Sequence, residues 1–325
     1  MSMNKKEFQK SLKVIAGLIR KSSRIILACH MNPDGDAIGS MLGLGLGLVK
    51  MKKKVIFLCP DVIPARYEAL PSVKQVKSHC DNAGDLAITL DCASITQLPR
   101  IDRILEKSKC IVEIDHHPYR NQFGDIQLIS EDASSVGEIV FELLNCLKIK
   151  LDKRIAECLL TSAIVETCSF SGESVSKNTF EACAKFVETG VDFNKISQRY
   201  YWKKNLPAMH LTGLSYLRVK VTKNNKVAWS IIYKEDFKKF HGKQEDVDPV
   251  ADDILVTGEA KVSLFFREIE NNMMRVSLRS KGAIDVGRLA TIYGGGGHHH
   301  VSSCRIHNTK GAIEKLIKQA AQLTH

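Results

Sequence analysis

The stretch "HMNPDGDAIGS" places an imidazole, His30, and two carboxylates, Asp34 and Asp36, within seven residues, directly behind the apolar run "RIILAC". Similar groupings recur further on: Asp91 closes "LAITLD", and Asp115 closes "CIVEID" with His116 and His117 just beyond it. Carboxylates gathered in one place repel, and such a group holds at least one proton at neutral pH unless a cation neutralises it. Carboxylates mixed with imidazoles suit Mn²⁺, with Mg²⁺ the other candidate, and two such ions roughly 3.5–4 Å apart are used to hydrolyse phosphate esters. Each piece alone has a plainer reading. "NPDGD" is an ordinary turn, with Pro33 fixing φ and Gly35 admitting positive φ. A turn does not account for the repetition at successive strand ends.

To bring these residues together the chain needs a particular scaffold. "RIILAC" (24–29), "KVIFLC" (54–59), "LAITLD" (86–91) and "CIVEID" (110–115) are continuous rather than alternating apolar runs. That texture predicts strands covered on both faces, hence a parallel sheet with crossover helices, an α/β fold. In such sheets ligands bind beyond the carboxyl ends of the strands, where His30, Asp91 and Asp115 fall. Residues 134–190 read as helical, and 195–215, with "RYYWKKNLP", as a helical connector. From about Val219 the pattern becomes β-type again ("KVAWSIIY", "AKVSLFFREI", "NMMRVSLRS"), ending in a glycine run and a helix. The expected organisation is a metal-binding domain over 1–195, a helical linker over 196–217, and a smaller α/β domain over 218–325. In the sequence 134–146, Ser134, Ser135 and Gly137 read as helix capping. Tyr200, Tyr201 and Trp202 could stack on bases, but packing of a connector helix explains them as well.

With 325 residues the chain is long enough for two cores. No run approaches the ~20 apolar residues of a membrane helix, and the amino terminus has helical spacing rather than a signal-peptide core, so a cytoplasmic protein with no membrane partner is expected. Ten scattered cysteines without a C-x-x-C pair read as reduced thiols. The formal charge of +11 is uneven: Lys195–Lys239 holds eleven Lys/Arg against two acidic residues. That segment is either a solvated basic surface or an attraction for a polyanion.

"YGGGGHHHVSSCRI" could be a flexible linker or a histidine tract that captures metal. Its consecutive glycines also let backbone amides approach an anion closely. Arg279 in "SLRSKG" carries a fork that matches phosphate; an arginine on an edge strand is otherwise a solvated charge.

Taken in order, "HMNPDGDAIGS", "LDCAS", "EIDHH" and "VSLRS...GGGGH" resemble the DHH/DHHA1 phosphoesterases across essentially the whole chain. The resemblance implies an N-terminal DHH domain and a C-terminal DHHA1 domain. His30 and Asp34 would hold one metal ion, Asp36, His116 and Glu166 the other, and Asp91 would bridge them. Asp115 would orient a neighbouring imidazole, and His117 would face the substrate phosphate or protonate the leaving oxygen. Arg279, Ser280, Gly295, Gly296, Gly297 and His298 would grip substrate. The implied activity is degradation of short RNA or DNA oligonucleotides to 5′-mononucleotides, or dephosphorylation of 3′-phosphoadenosine 5′-phosphate (pAp), with a homodimer as one arrangement the family uses. One departure stands out: the fourth motif is usually Asp-Thr-Gly, whereas this chain has Glu166-Thr167-Cys168. The added methylene shifts the carboxylate by over about 1 Å unless the backbone compensates. Hydrolysis of cyclic or linear dinucleotides, and a nucleotide-binding module with weakened catalysis, stay open as other readings.

Overall fold

The computed structural model describes residues 3–324 apart from 173, 203 and 298. The chain divides into two compact units, 1–203 and 204–325. In the first, α1 (Lys5–Lys21) precedes β1 (Arg24–Cys29), α2 (Gly35–Lys50), β2 (Lys54–Leu58), β3 (Leu86–Leu90), α3 (Asp102–Glu106), β4 (Ile111–Asp115) and β5 (Ile126–Ile129). Four helices follow: α4 (Val136–Cys146), α5 (Lys153–Glu166), α6 (Lys177–Val187) and α7 (Phe193–Ser197). The five strands form one parallel sheet in the order β2-β1-β3-β4-β5.

Both faces of this sheet are covered, which is why its strands read as unbroken apolar runs. Ile25, Leu27 and Cys29 of β1 point into a core shared with α1, α2, α4 and α5. Ile26 and Ala28 point the other way, towards Leu98, Ile101 and Leu105 around α3. The chain leaves β1 to form β2 on one side and returns to form β3 on the other. The loops after β1 and β3 therefore diverge, and a crevice opens between them at the strand ends.

A second device sets the position of the helices. Gly35, Gly39 and Gly43 fall four apart along α2, on the face that meets α5. A Cβ at Gly39 would lie 2.5 Å from the carbonyl oxygen of Cys158 and 2.9 Å from the amide nitrogen of Ser162, so only glycine permits this approach. The close contact brings Asp36, on the first turn of α2, beside Ser162 of α5. Gly39→Ala is expected to push the helices apart, costing about 1–3 kcal/mol, and to slow hydrolysis by displacing Glu166 at the end of α5. Thermal denaturation and kcat on one sample check both effects.

The second unit holds α8 (Leu206–Leu217), β6 (Lys220–Val221), β7 (Val227–Ile232), α9 (Lys234–Phe240), α10 (Val250–Leu255), β8 (Val262–Ile269) and β9 (Met273–Ser280). After these come α11 (Val286–Ile292), β10 (Gly296–Gly297), β11 (Val301–His307) and α12 (Lys310–Gln322). Its six strands run β10-β11-β9-β8-β7-β6, antiparallel except for the parallel pair β7–β8. Val262, Leu264, Phe266, Val276 and Leu278 face α11 and α12 on one side. Phe265 on the other meets α8 and α10. The architecture is the α/β arrangement that the sequence predicts, a parallel-sheet unit followed by a smaller α/β unit. No helix among the described residues is long and apolar enough to cross a membrane.

Candidate metal centre

At the strand ends the structure gathers His30, Asp34, Asp36, Asp91, Asp115, His116, His117 and Glu166. Their ligand atoms form overlapping triads within 4.8 Å: His30, Asp34 and Asp91; Asp36, His116 and Glu166; and Asp91, His116 and His117. Asp91 reaches both main groups, with Oδ2 3.5 Å from His30 Nε2 and Oδ1 3.8 Å from His116 Nε2. His116 Nε2 also lies 3.6 Å from Asp36 and 3.7 Å from Glu166.

Each side chain is aimed by its local structure. Asp34 caps α2, its Oδ1 accepting the amides of Asp36 and Ala37 at 3.0 Å, while Oδ2 lies 4.0 Å from His30. Asp91 follows β3 in the left-handed region, φ 59°, a conformation that aspartate tolerates better than most residues. The imidazoles share one orientation rule. His30 Nδ1 donates to the carbonyl of Met31 at 2.8 Å, His116 Nδ1 to that of Ala133 at 3.1 Å, and His117 Nδ1 to the Asp115 carboxylate at 2.7 Å. A carbonyl only accepts, so the proton of neutral His30 and His116 sits on Nδ1 and Nε2 presents a lone pair, as metal ligation requires.

Two buried carboxylate oxygens, Asp91 Oδ1 and Asp115 Oδ2, have no hydrogen-bond partner among the described residues. With hard oxygen donors, imidazoles aimed by Nδ1 and unsatisfied anionic atoms, the cluster fits divalent ions.

Electrostatics point the same way. Burial, with the charges of Asp91, Glu166 and Asp34, lifts Asp36 well above the carboxylate range. Burial and Asp91 raise Asp34 and push Glu166 up to about 7. Burial would raise Asp91 too, but His30, His117 and His116 hold it below its ordinary value. Burial disfavours charge on His30 and His117; Asp91 overrides it and raises His30 to about 10, and Asp115 with Asp91 raises His117 to about 9. Without a cation the centre retains protons in its place.

Those shifts set a pH dependence. Imidazoles whose folded pKa is raised contribute stability that is complete below about 6.5 and is lost as pH climbs through 9 to 10. The metal-free protein is expected to lose stability from pH 6.5 to 8.5. Ion binding requires neutral imidazoles, so the rise in thermal midpoint on adding a divalent ion should be larger at pH 8.5 than at 6.5. Equal rises at both values would refute this.

Glu166 ends α5, and its longer side chain brings Oε1 into the cluster. Cys168, Ser169 and Phe170 then occupy the left-handed region consecutively, with φ of 48°, 58° and 68°. Cys168 thus stands in a glycine-favouring conformation at the position where the resembled motif carries glycine.

The sequence did not disclose what supports Asp36. This fully buried carboxylate accepts the Val136 amide at 2.9 Å, the Gly137 amide at 3.3 Å and the Ser162 hydroxyl at 2.6 Å. It therefore caps α4 from a hundred residues away. The expectation that Ser134 and Ser135 cap that helix is corrected: Ser135 is the N-cap residue but makes no side-chain cap, and the Ser134 hydroxyl donates to Glu138 instead. Tyr201 is structural, its hydroxyl donating to the carbonyls of Ile164 and Val165, and Tyr200 packs against Tyr67; Trp202 is exposed.

In the second unit Arg279 lies on β9, and its Nε donates to Asp252 at 2.6 Å. β9 lies inside the sheet, flanked by β11 and β8, so the edge-strand reading of Arg279 does not hold. Ser280 is buried, its hydroxyl donating to the Ile284 carbonyl at 2.6 Å. Gly296 and Gly297 form β10, pairing with Ser303 and Ser302. A Cβ at Gly295 would meet the Ser303 carbonyl and one at Gly297, φ 140°, the Ser302 Cα, so both glycines let the loop close on β11. His298 lies outside the described residues.

Candidate sites for paired ions at the switch point of a parallel sheet, followed by an arginine-bearing mixed sheet, are an arrangement suited to hydrolysis of phosphoester bonds. Residues 24–163 match the DHH family, N-terminal domain, and 224–325 match the DHHA1 domain. The chain belongs to the DHH family. It is 24% identical to the bifunctional oligoribonuclease and PAP phosphatase NrnA of Thermus thermophilus, covering 84% of this chain and 81% of that one. It is 27% identical to the protein of the same name from Bacillus subtilis, over 87% of this chain and 90% of the relative. The crystal structure of an exopolyphosphatase-related protein from Bacteroides fragilis superposes with a TM-score of 0.91 at 26% identity, covering 99% of this chain and all of that one.

Proposed function

We propose that this protein is a two-metal, Mn²⁺-dependent phosphoesterase that degrades short oligonucleotides to 5′-mononucleotides and dephosphorylates pAp. One observation carries the reading: Asp91 stands between the His30–Asp34 pair and the Asp36–His116–Glu166 group, within reach of both. His30, Asp34 and Asp91 would hold one ion, and Asp36, His116, Glu166 and Asp91 the other. When bound, the ions supply Lewis-acid activation of water and of the phosphoryl group.

The remaining steps belong to the chain. The carbonyls of Met31 and Ala133 keep His30 and His116 in the tautomer that ligates. Asp115 fixes the His117 ring through Nδ1, and the proton His117 delivers to the leaving oxygen is the one at Nε2. Asp115 further accepts the amide of His116 at 2.7 Å, so one carboxylate sets the position of both rings. The names of the relatives, oligoribonuclease and PAP phosphatase, support short substrates.

Titration of Mn²⁺ and Mg²⁺ with activity read on pAp and on RNAs of two to five nucleotides tests the reading. Turnover of at least one class, saturating with the ion, is expected; no turnover of either with both ions overturns it. Arg279→Ala should raise KM about tenfold or more with kcat nearly unchanged, as for a group that binds substrate and transition state alike. A fall in kcat alone would assign Arg279 to the chemistry.

A further inference from the structure

The face of the second sheet that carries Arg279 holds a denser arrangement of charge. Strand register sets Arg267 of β8 directly opposite Arg275 of β9, and Arg275 directly opposite Arg305 of β11. Three guanidinium groups thus stand in a row across three neighbouring strands, about 5 Å apart at their Cβ atoms. Arg279 lies four residues along β9 on the same face, about 13 Å from Arg275. Like charges placed directly opposite destabilise a sheet, so the row needs a counter-charge.

The protein supplies only part of it. Arg267 is buried and held by the protein, with Nη1 on Asp248 at 2.5 Å and on the Gln244 carbonyl at 3.0 Å and Nη2 on the Ser277 hydroxyl, while its Nε has no partner among the described residues. Arg279 has Asp252. Arg275 and Arg305 are exposed, and among the described residues neither has a side-chain hydrogen bond or an ion pair. Desolvation and the charges of Arg267, Arg305 and Arg279 lower the pKa of Arg275, while Asp248 opposes them. Ser277 and Ser303, paired with each other between the two arginine positions, leave a shallow track without bulky side chains. Beyond β11 the sheet ends in the glycines of β10, whose lack of side chains keeps that edge low.

We propose that Arg275 and Arg305, continued by Arg279, form a phosphate track for the backbone of an oligonucleotide longer than a dinucleotide. The span from Arg305 to Arg279 exceeds what one phosphate can bridge, so the fitting ligand is a linear polyanion carrying phosphates at separate points. This rests on the proposed oligonucleotide hydrolysis and adds chain-length preference to it: pentanucleotides engage the track, and pAp does not. The track lies outside the lysine-rich segment 195–239, where net charge alone directs attention.

Full-length protein, Arg275→Gln/Arg305→Gln and Arg275→Lys/Arg305→Lys decide it, with two measurements on each. The first is anisotropy of a labelled pentanucleotide against salt. The Gln pair should bind about tenfold more weakly, with a log–log salt slope shallower by about 1.4 for two lost contacts on a single strand; the Lys pair, which keeps the charges, should retain the slope. The second is kcat/KM on pentanucleotide and on pAp with Mn²⁺: the Gln pair should lose about tenfold on the former through KM, and under twofold on the latter. Unchanged affinity and slope, or equal losses on both substrates, overturn the track. If wild type hydrolyses neither substrate, the proposed activity fails, while the binding measurement still decides the track by itself.

Discussion

Asp91→Asn is expected to lower kcat on the order of a thousandfold, ~4 kcal/mol of barrier, without unfolding the protein. Asparagine keeps the shape and tolerates the left-handed φ of 59° at this position, so the backbone amide still donates to Ile114. Oδ1 accepts no hydrogen bond among the described residues, and the rings nearest it, His117 at 3.4 Å and His116 at 3.8 Å, are anchored through Nδ1 to Asp115 and to the Ala133 carbonyl. What disappears is the charge that both triads share. His30 loses the partner that raises it to about 10, and the buried Asp91 charge whose desolvation opposes folding disappears with it, so the two effects offset and the metal-free variant should melt within a few degrees of wild type. Isothermal titration should show ion affinity reduced, with the two ions no longer bound together. Retention of a tenth of wild-type kcat would contradict a shared role for Asp91.

Much of this was visible in the residues because burial on both faces leaves a direct mark. The runs at 24–29, 54–59, 86–91 and 110–115 correspond to β1 to β4, and their last residues or immediate successors supply His30, Asp91, Asp115 and His116. β5 escaped notice because four residues at a sheet edge, "IQLI", carry too little pattern. Sheet order in the second unit was equally hidden. β11 inserts between β9 and β10 through pairing that no local period encodes, which moved Arg279 from the expected edge into the interior. The alignment of Arg267, Arg275 and Arg305 depends on that same register. The glycine spacing in "GDAIGSMLGLGLG" did carry a signal, a stripe of four-residue period, that marks close helix approach rather than flexibility. Capping of α4 by Asp36 carried none, since the acceptor and the helix are remote in sequence.

That remote cap makes Asp36 differ from Asp91, although both are buried carboxylates at one rim. Asp36→Ala should destabilise the metal-free protein by about 3 kcal/mol, as well as abolishing hydrolysis. The Val136 amide has Asp36 as its acceptor, and the Ser162 hydroxyl donates to it; both lose their partner in a site excluded from water. The Gly137 amide keeps Ser162 Oγ at 3.0 Å, so the loss is partial and the helix should still form. Two effects oppose the penalty: the desolvated charge disappears, and Asp91 and Glu166 are relieved of a like neighbour. Orphaned donors outweigh them because burial and the charges of Asp91, Glu166 and Asp34 already hold Asp36 well above the carboxylate range, so removing its carboxylate relieves less repulsion than a fully charged group would. Chemical denaturation of metal-free wild type, Asp36→Ala and Asp91→Asn separates the cases. Asp36→Ala should show a lower midpoint at an unchanged slope, and Asp91→Asn should follow wild type; equal destabilisation of the two would mean that Asp36 serves only as a ligand.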